Sequence, residues 1–344
     1  MRQAIMHSPG AIEIRQIEDL TPDLLKSGEV LMQILRIGVC GSDLHVYHGL
    51  HPATPYPVVQ GHEYSARIVA VAPDVKDFHP GMMVTARPQL VCGTCGPCLR
   101  GQYNACQNLR VQGFQAPGVA QDLFITASER VVTLDPAMTP EQGAFVEPAA
   151  VGAHSTRRVE NLSGKNVVVS GAGTIGNMVA QFAVARGAKK VLITDISDFR
   201  LDIARQCGIG ATFNVATGDF DKALVDAFGT EGFQVGFEAA GVQKSLDALI
   251  SNVEKGGDIV ILGVYSENPV VNMYYLGEHE LNMFGSMMYR HEDYTEAAKL
   301  IAEGAIVTLP LLSKKFDFEA YHDAYEYIEK CGDQVMKVMI TVNE

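Results

Sequence analysis

KNVVVSGAGTIG, at residues 165–176, is a short apolar run that passes at once into a glycine-rich turn. The pattern predicts a buried strand over residues 165–170, a helix over residues 178–186 and a second strand over residues 191–194. Asp195 follows the second strand, 19 residues after the last glycine of the turn. A strand, a G-x-G-x-x-G turn, a helix, a strand and an acid in this order are typical of a dinucleotide-binding unit.

The three glycines of this turn have separate purposes in such a unit. Gly171 makes the tight turn, Gly173 lets the backbone approach a pyrophosphate, and Gly176 lets the helix pack closely on the strand. The N-terminus of that helix then faces the phosphates. We expect Asp195 to accept hydrogen bonds from the adenosine ribose hydroxyls. Because its carboxylate repels a 2′-phosphate, NAD is favoured over NADP.

The rest of the chain divides around this unit. Strands and helices alternate through residues 151–285, which predicts a doubly wound parallel sheet, the Rossmann arrangement. Residues 1–150 instead show short strands between Gly and Pro turns and predict a partly closed β domain. Residues 286–344 are too few for a third domain, so we expect them to complete the first. A length of 344 residues fits two domains.

Composition excludes several classes of function. The hydrophobic content of 47% and the charged content of 19% are typical of a globular protein. A net charge of −13 argues against nucleic acid or an anionic membrane as the main partner. No apolar run is long enough to span a membrane. The N-terminal residues show no signal-peptide pattern, so we expect a cytoplasmic protein.

Four cysteines stand within 15 residues of one loop, at Cys92, Cys95, Cys98 and Cys106. Glycines and a proline between them allow the loop to fold back, so that the four sulfurs converge. Four thiolates in tetrahedral geometry form a closed structural zinc site. An iron–sulfur cluster is the alternative, but the bacterial ferredoxin run has three residues in its last gap where this chain has seven. Unliganded cysteines are not expected at this density.

A second set of metal-binding residue types lies between residues 40 and 63. Cys40, His62 and Glu63 offer a thiolate, an imidazole and a carboxylate, which are the three ligand types of zinc. Ser42 and His45 lie beside the thiolate and could carry a proton away. A metal Lewis acid with a proton exit suits alcohol oxidation or hydrolysis. The alternative is a buried structural cysteine with core histidines.

Two further features bear on this site. Glu147 lies in an apolar run, Phe145-Val146-Glu147-Pro148, where a carboxylate is costly unless it is paired or bound to metal. It is therefore either an ion-pair partner or an additional zinc ligand. Residues 48–57 contain three prolines and form a loop rich in groups that can hydrogen-bond a polar ligand. A solvated surface loop is the alternative there.

Taken together, these motifs resemble the zinc-dependent medium-chain dehydrogenase/reductase family over essentially the whole chain. Alcohol dehydrogenases of the family have a cysteine at the position of Glu147. With a glutamate there, this chain resembles the polyol branch of the family, which includes sorbitol (L-iditol) dehydrogenase. The loop at residues 48–57 is similar to that of bacterial members thought to act on hexonates. The resemblance implies a GroES-like β-barrel catalytic domain beside the Rossmann domain, with a cleft between them.

The resemblance also implies site residues. Cys40 and His62 would bind the catalytic zinc, and Glu63 and Glu147 would share its remaining positions. Ser42 and His45 would relay the proton. With the four-cysteine site this makes two zinc ions per chain. Cofactor contacts are implied at Gly171, Gly173, Thr174, Ile175, Gly176, Asp195, Arg200, Gly241, Gly263, Val264 and Ser286.

The implied reaction is hydride transfer from a secondary alcohol of a polyol or hexonate-like sugar acid to NAD, which gives the ketone. L-threonine 3-dehydrogenase, with the same fold and metals, is the nearest alternative. A catalytically silent cofactor-binding protein is the alternative outside enzymes, and the intact Ser42 and His45 argue against it. We expect a homodimer or homotetramer with a small-molecule substrate and neither nucleic acid nor membrane as partner.

Overall fold

The computed structural model describes all 344 residues. Its strands are β1 (Arg2–Ser8), β2 (Ala11–Gln16), β3 (Glu29–Val39), β4 (Glu63–Val71), β5 (Met83–Ala86), β6 (Gln89–Leu90), β7 (Arg110–Val111), β8 (Leu123–Ala127), β9 (Val131–Thr133), β10 (Asn166–Ser170), β11 (Lys190–Asp195), β12 (Ala211–Asn214), β13 (Val235–Glu238), β14 (Asp258–Ile261), β15 (Asn282–Gly285), β16 (Leu312–Asp317) and β17 (Lys337–Thr341).

The α-helices are α1 (Gly41–Tyr47), α2 (Gly96–Leu99), α3 (Pro140–Ala144), α4 (Val146–Thr156), α5 (Thr174–Ala185), α6 (Asp198–Gln206), α7 (Phe220–Phe228), α8 (Gln243–Asn252), α9 (Met273–Glu278), α10 (His291–Ala302) and α11 (Tyr321–Cys331). Short 3₁₀ turns occur at Pro22–Leu24, Tyr103–Ala105, Ser128–Arg130, Gly229–Glu231, Leu309–Leu311, Phe318–Ala320 and Gly332–Gln334.

The chain forms two compact units. The first contains Met1–Glu147, Arg290–Ala302 and Leu312–Glu344, and the second contains Pro148–Tyr289 and Glu303–Leu311. The sequence had suggested boundaries after residues 150 and 285. The structure places the first boundary inside α4 and assigns residues 286–289 and 303–311 to the second unit. Local patterns do not carry this information, because a unit is defined by contacts between distant segments.

The first unit is built on a seven-stranded sheet in the order β16-β17-β3-β4-β5-β9, with β8 also paired to β3. All its pairs are antiparallel except β16 with β17. Strand β3 pairs with three neighbours and is buried along nearly its whole length, which explains why most of its residues are apolar. The predicted β domain is confirmed, although the sequence pattern missed β16.

The second unit contains a six-stranded parallel sheet in the order β12-β11-β10-β13-β14-β15. Apolar clusters cover both faces of this sheet, as a parallel sheet requires. The strand order reverses beside β10, so the loop after β10 lies at the point where doubly wound sheets bind ligands. The predicted Rossmann arrangement is confirmed, and α9 is an added helix that the sequence pattern missed.

Capping residues set the start of α3, where Thr139, Pro140 and Glu141 are typical of a helix N-terminus. The Thr139 hydroxyl accepts a hydrogen bond from the backbone N–H of Gln142 at 3.2 Å, and the Gln142 side chain accepts one from the backbone N–H of Thr139 at 2.8 Å. Pro140 is the first helical residue. This reciprocal pair satisfies two N–H groups that a helix start leaves without partners.

Glu141 on α3 joins three elements of the first unit through its carboxylate. Its Oε1 accepts hydrogen bonds from Arg36 Nε on β3 and from Lys315 Nζ on β16, both at 2.9 Å. Burial alone would raise the pKa of Glu141, but the two cations outweigh burial and lower it to about 2. The ionised carboxylate therefore stabilises the fold.

We expect Glu141→Gln to lower the free energy of unfolding at pH 7 by roughly 1.5–3 kcal/mol, the range for hydrogen bonds to charged groups. Because the folded-state pKa is depressed, the wild-type advantage is full above the unfolded pKa of about 4.5 and is lost as the pH falls towards 2. Urea unfolding of both proteins between pH 7 and pH 2.5 measures this difference.

The matched control is Glu319→Gln, which removes an ion pair with Arg2 on the surface, where Glu319 is 65% exposed. Its effect at pH 7 should be within about 1 kcal/mol. A Glu141→Gln deficit that does not change with pH would show that the pair with Arg36 and Lys315 does not depend on the carboxylate charge.

Candidate catalytic zinc centre and dinucleotide site

Cys40, His62 and Glu63 come together in the first unit. One ligand atom from each, a sulfur, a ring nitrogen and a carboxylate oxygen, lies within 4.8 Å of the others. Cys40 immediately precedes α1, His62 ends the loop before β4, and Glu63 begins β4. His62 and Glu63 are buried, whereas Cys40 is half-buried. A thiolate, an imidazole and a carboxylate at this separation fit a tetrahedral zinc ion.

Asp43 supports this cluster, although its role is not evident from the sequence alone. Its Oδ2 accepts a hydrogen bond from the backbone N–H of Cys40 at 3.0 Å, and its Oδ1 lies 3.6 Å from His62 Nδ1. Burial alone would lower the pKa of His62, but the Asp43 carboxylate raises it well above its ordinary value. A carboxylate facing Nδ1 leaves Nε2 of the same ring for a metal.

Lys337 is the second residue that sequence reasoning missed. Its Nζ lies 2.9 and 2.7 Å from the two carboxylate oxygens of Glu63 and donates to the carbonyl of Val39 at 3.0 Å. Burial alone would lower the pKa of Lys337, but the charges of Glu63 and Cys40 raise it. Gly38 leaves room for this carboxylate, because a Cβ there would lie 2.4 Å from Glu63 Oε2.

The other residues predicted for this site take different places. Glu147 is buried and adds to the negative charge that acts on Lys337, but it lies outside the three-residue cluster. Ser42 is half-buried and His45 is exposed, and both lie on α1, three residues apart. Side chains at that spacing are neighbours on a helix surface. Their roles therefore stay predictions.

An aromatic side chain, Phe114, lies beside His62, and no local sequence pattern predicted it. The Phe114 ring lies 4.9 Å from the His62 ring and stacks on the His51 ring at 4.8 Å with an interplanar angle of 17°. The Thr54 hydroxyl is 2.7 Å from Nδ1 of His51. The loop at residues 48–57 is thus fixed against the His62 side of the cluster, as a substrate-contacting loop would need to be.

The four cysteines of the 92–106 loop converge as predicted. Their sulfur atoms all lie within 4.8 Å of one another, and three of the separations are 3.4, 3.5 and 3.9 Å. Sulfurs about 2.3 Å from a tetrahedral zinc ion would be about 3.8 Å apart, whereas a disulfide needs about 2.05 Å. Backbone N–H groups of Thr94 and Cys95 hold the pKa of Cys92 at about 5 and so favour its thiolate.

The glycine-rich turn of the second unit has the geometry that the sequence predicted. A Cβ on Gly176 would lie 1.8 Å from the carbonyl oxygen of Gly171, so only glycine fits there. A Cβ built on Gly173 would meet no other atom within 4 Å, and Gly173 is the N-cap of α5. An open backbone at a helix N-terminus fits a pyrophosphate.

Asp195 ends β11 beside this turn and is buried. Its two carboxylate oxygens accept hydrogen bonds from the backbone N–H groups of Ala172 at 2.7 Å and Ser197 at 2.9 Å. These bonds fix the carboxylate, and each oxygen keeps a lone pair for a ribose hydroxyl. The buried Nε of Arg200 has no hydrogen-bond partner, so it too can donate to a ligand.

The remaining predicted cofactor contacts lie at the carboxyl ends of the sheet strands. Thr174 and Ile175 open α5, Gly241 follows β13, Gly263 and Val264 follow β14, and Ser286 follows β15. Val264 is 81% exposed, whereas the Ser286 hydroxyl is buried without a hydrogen-bond partner. The structure thus brings these residues to the same edge of the sheet as the glycine-rich turn.

Two family models match the chain. The one described as "Alcohol dehydrogenase GroES-like domain" matches residues 26–136, and the one described as "Zinc-binding dehydrogenase" matches residues 174–303. A 2-dehydro-3-deoxy-L-galactonate 5-dehydrogenase of Pseudoalteromonas atlantica is 31% identical over 92% of this chain and 93% of its own. The chain belongs to the zinc-dependent medium-chain dehydrogenase/reductase family, in its polyol dehydrogenase-like branch.

Three further proteins similar to this chain are also dehydrogenases. A sorbitol dehydrogenase of Bacillus subtilis is 29% identical over 100% of this chain and 98% of its own, and an L-threonine 3-dehydrogenase of Protochlamydia amoebophila is 32% identical over 71% and 72%. An Escherichia coli alcohol dehydrogenase (rspB), solved with NADH, matches with a TM-score of 0.91 at 26% identity over 99% of both chains. The medium-chain dehydrogenase described here is therefore an oxidoreductase that acts on CH–OH groups with zinc and a nicotinamide cofactor.

The predicted fold class, a GroES-like domain with a Rossmann domain, is confirmed by these matches. None of the helices combines the length and the apolar character needed to cross a membrane.

Proposed function

We propose that this enzyme oxidises a secondary alcohol of a polyol or hexonate-like sugar acid to the ketone with NAD. The convergence of Cys40, His62 and Glu63 within 4.8 Å carries the proposal, because it supplies one metal position built from three different ligand types. A closed structural site would be expected to use cysteines and histidines alone. Glu147 stays in the proposal as a group that shares this position with Glu63.

The four-cysteine loop is proposed as a second zinc site with a structural purpose. Its four thiolates fill a tetrahedral shell and leave no position for substrate. It lies between β6 and β7, which form only a two-stranded ribbon. Such a small lobe buries little apolar surface, so a metal would supply much of its stability.

In the proposed reaction, Cys40, His62 and Glu63 would hold a zinc ion, which would supply the Lewis acidity that lowers the pKa of an alcohol, and the glycine-rich turn would hold the nicotinamide cofactor that supplies the hydride acceptor. Ser42, half-buried on the first turn of α1, takes the alcohol proton through its hydroxyl. The Ser42 hydroxyl gives up its own proton to His45, exposed one turn later, or to the cofactor ribose, and the proton passes from there to water. Asp43 fixes His62, and Lys337 fixes Glu63. The Phe114 ring excludes water from the His62 side of the site.

The substrate class rests on the relatives and on the loop at residues 48–57. The sorbitol and galactonate enzymes suggest polyols and sugar acids. His51 and Thr54 give the loop hydrogen-bonding groups near His62, which suits a substrate with several hydroxyls. L-threonine is the second candidate, because the threonine dehydrogenase has the highest identity of the three relatives, at 32%, although over a shorter length.

We also propose that the enzyme is a homodimer or homotetramer of the cytoplasm. Val270, Met273 and Tyr274 of the second unit, at and just before the start of α9, are exposed apolar side chains. Apolar side chains grouped in this way are typical of an interface.

We expect Cys40→Ala to fold, to bind NADH normally and to retain one zinc of two. Turnover should fall by several orders of magnitude, because an alcohol is a very weak acid without a Lewis acid. Ser42→Ala should lose roughly 10²–10⁴-fold, the usual value of general acid–base assistance. Metal analysis, NADH titration and kcat measure these effects.

Two cysteine variants serve as controls for Cys40→Ala. Cys207→Ala removes a buried thiol outside both clusters and should leave both metals and the turnover of folded enzyme unchanged. Cys106→Ser should instead destabilise the lobe and cause aggregation. Near-normal activity of Cys40→Ala with two zinc ions bound would refute the catalytic assignment.

We expect a strong preference for NAD over NADP, because a 2′-phosphate beside Asp195 would bring like charges together at a cost of several kcal/mol. Asp195→Asn keeps an acceptor oxygen for Ala172 and removes the charge, whereas Asp195→Ser also removes the hydrogen bonds. Both should narrow the ratio of kcat/KM between the cofactors by roughly tenfold or more. Equal kcat/KM for the two cofactors in the wild-type enzyme would contradict this role of Asp195.

The substrate assignment is tested by NADH formation with matched compounds. Sorbitol and gluconate differ at one end of the same carbon chain, and L-threonine is the competitor. We expect the best polyol or hexonate to exceed L-threonine in kcat/KM by at least about tenfold, or 1.4 kcal/mol. The reverse order would select the threonine reaction.

A further inference from the structure

Hydrogen bonds link three buried residues of the first unit, Tyr325 on α11, Gln60 and Asp43, and Asp43 lies within ion-pair distance of His62 in the catalytic cluster. The Tyr325 hydroxyl donates to Gln60 Oε1 at 3.0 Å. Gln60 Nε2 donates to the main-chain oxygen of Asp43 at 3.2 Å and to Asp43 Oδ1 at 3.3 Å. Asp43 Oδ1 in turn lies 3.6 Å from His62 Nδ1. None of the four residues is more than 5% exposed.

The direction of these hydrogen bonds is fixed by chemistry. Asp43 offers only acceptors, a carbonyl and a carboxylate, so Gln60 must turn its NH₂ end towards Asp43. The amide oxygen of Gln60 then faces away and needs a donor, and a buried carbonyl without one costs about 1–3 kcal/mol. Tyr325 supplies that donor. Each hydrogen bond in this series therefore donates in the direction of Asp43, from Tyr325 to Gln60 and from Gln60 to Asp43.

We propose that Gln60 and Tyr325 are positioning residues for the metal centre. By holding Asp43 in place they keep its carboxylate beside Nδ1 of His62, which leaves Nε2 as the ring nitrogen for a metal. Partners of metal-binding histidines usually affect metal affinity by 10–100-fold, and residues that orient such a partner act one step further out. This inference rests on the proposed function, in which Cys40 and His62 bind zinc.

A purely structural purpose for Tyr325 is the alternative, and an experiment distinguishes it from the positioning role. Its ring packs against the rings of Tyr47, at 5.1 Å, and Tyr321, at 5.8 Å, in the apolar core. Phenylalanine would keep both ring contacts and remove only the hydroxyl. Tyr325→Phe therefore tests the hydrogen bonds of the Tyr325 hydroxyl, to Gln60 and to Tyr321, rather than the packing.

The experiment compares Tyr325→Phe, Gln60→Met and the double variant with the wild type. Methionine keeps the unbranched shape of glutamine without its amide. Zinc affinity of the labile site is measured by competition with a chelator, and the visible spectrum of the cobalt-substituted enzyme reports ligand geometry. The four-cysteine site is the internal reference for zinc binding. Tyr294 is a buried tyrosine on α10 that takes no part in these hydrogen bonds, so Tyr294→Phe controls for the loss of a buried hydroxyl.

We expect Tyr325→Phe to weaken zinc binding at the labile site roughly threefold to tenfold, below the 10–100-fold of direct partners, and to shift the cobalt spectrum. Gln60→Met should do the same, and the double variant should be no worse than Gln60→Met, because both residues act through one chain. Tyr294→Phe should leave metal affinity and spectrum unchanged.

Wild-type zinc affinity and cobalt spectrum in Tyr325→Phe, with only a lower melting temperature, would overturn the proposal. So would additive effects in the double variant. The proposed function has its own test, since its failure would appear as two zinc ions bound to Cys40→Ala. If Cys40→Ala loses one zinc ion while Tyr325→Phe keeps the wild-type zinc affinity, only the positioning role of Gln60 and Tyr325 is refuted.

Discussion

Glu63 and Lys337 form an ion pair cut off from solvent, with Nζ 2.7 Å from the carboxylate and both side chains at most 4% exposed. Removing one partner of a buried ion pair leaves an unpaired charge that costs about 3–5 kcal/mol. Cys40, Asp43 and Glu147 bring further acidic groups to the same part of the first unit. The cation of Lys337 offsets part of this negative charge. A divalent zinc ion between Cys40, His62 and Glu63 would offset a further part of it.

The sheet determines where that ion pair forms. Strand β3 lies between β4 and β17, so that Gly38 pairs with both Glu63 and Met339. Lys337 stands two residues before Met339 and therefore reaches across β3 to the start of β4. The close approach depends on Gly38, where any larger residue would meet the Glu63 carboxylate. The position of the carboxylate is thus a consequence of strand register in the first unit.

In the second unit, backbone groups rather than a buried ion pair form the expected binding site. A pyrophosphate needs N–H donors and space, which the turn from Gly171 to Gly176 supplies at the start of α5. The carboxylate of Asp195 secures this turn by accepting the N–H of Ala172. One residue therefore both holds the loop and presents the charge that discriminates between the two nicotinamide cofactors in our proposal.

Features that depend on neighbours in the chain could be predicted from the sequence alone. The glycine-rich turn, the four-cysteine loop and the Thr139 cap each lie within about 15 residues, so local spacing fixes their geometry. The roles of Asp43, Gln60 and Lys337 were decided only by the tertiary structure. Lys337 is 274 residues from Glu63, and Tyr325 is 265 residues from Gln60. Such contacts exist only once β17 and α11 have packed, because no local pattern encodes which distant side chain will neutralise a buried charge.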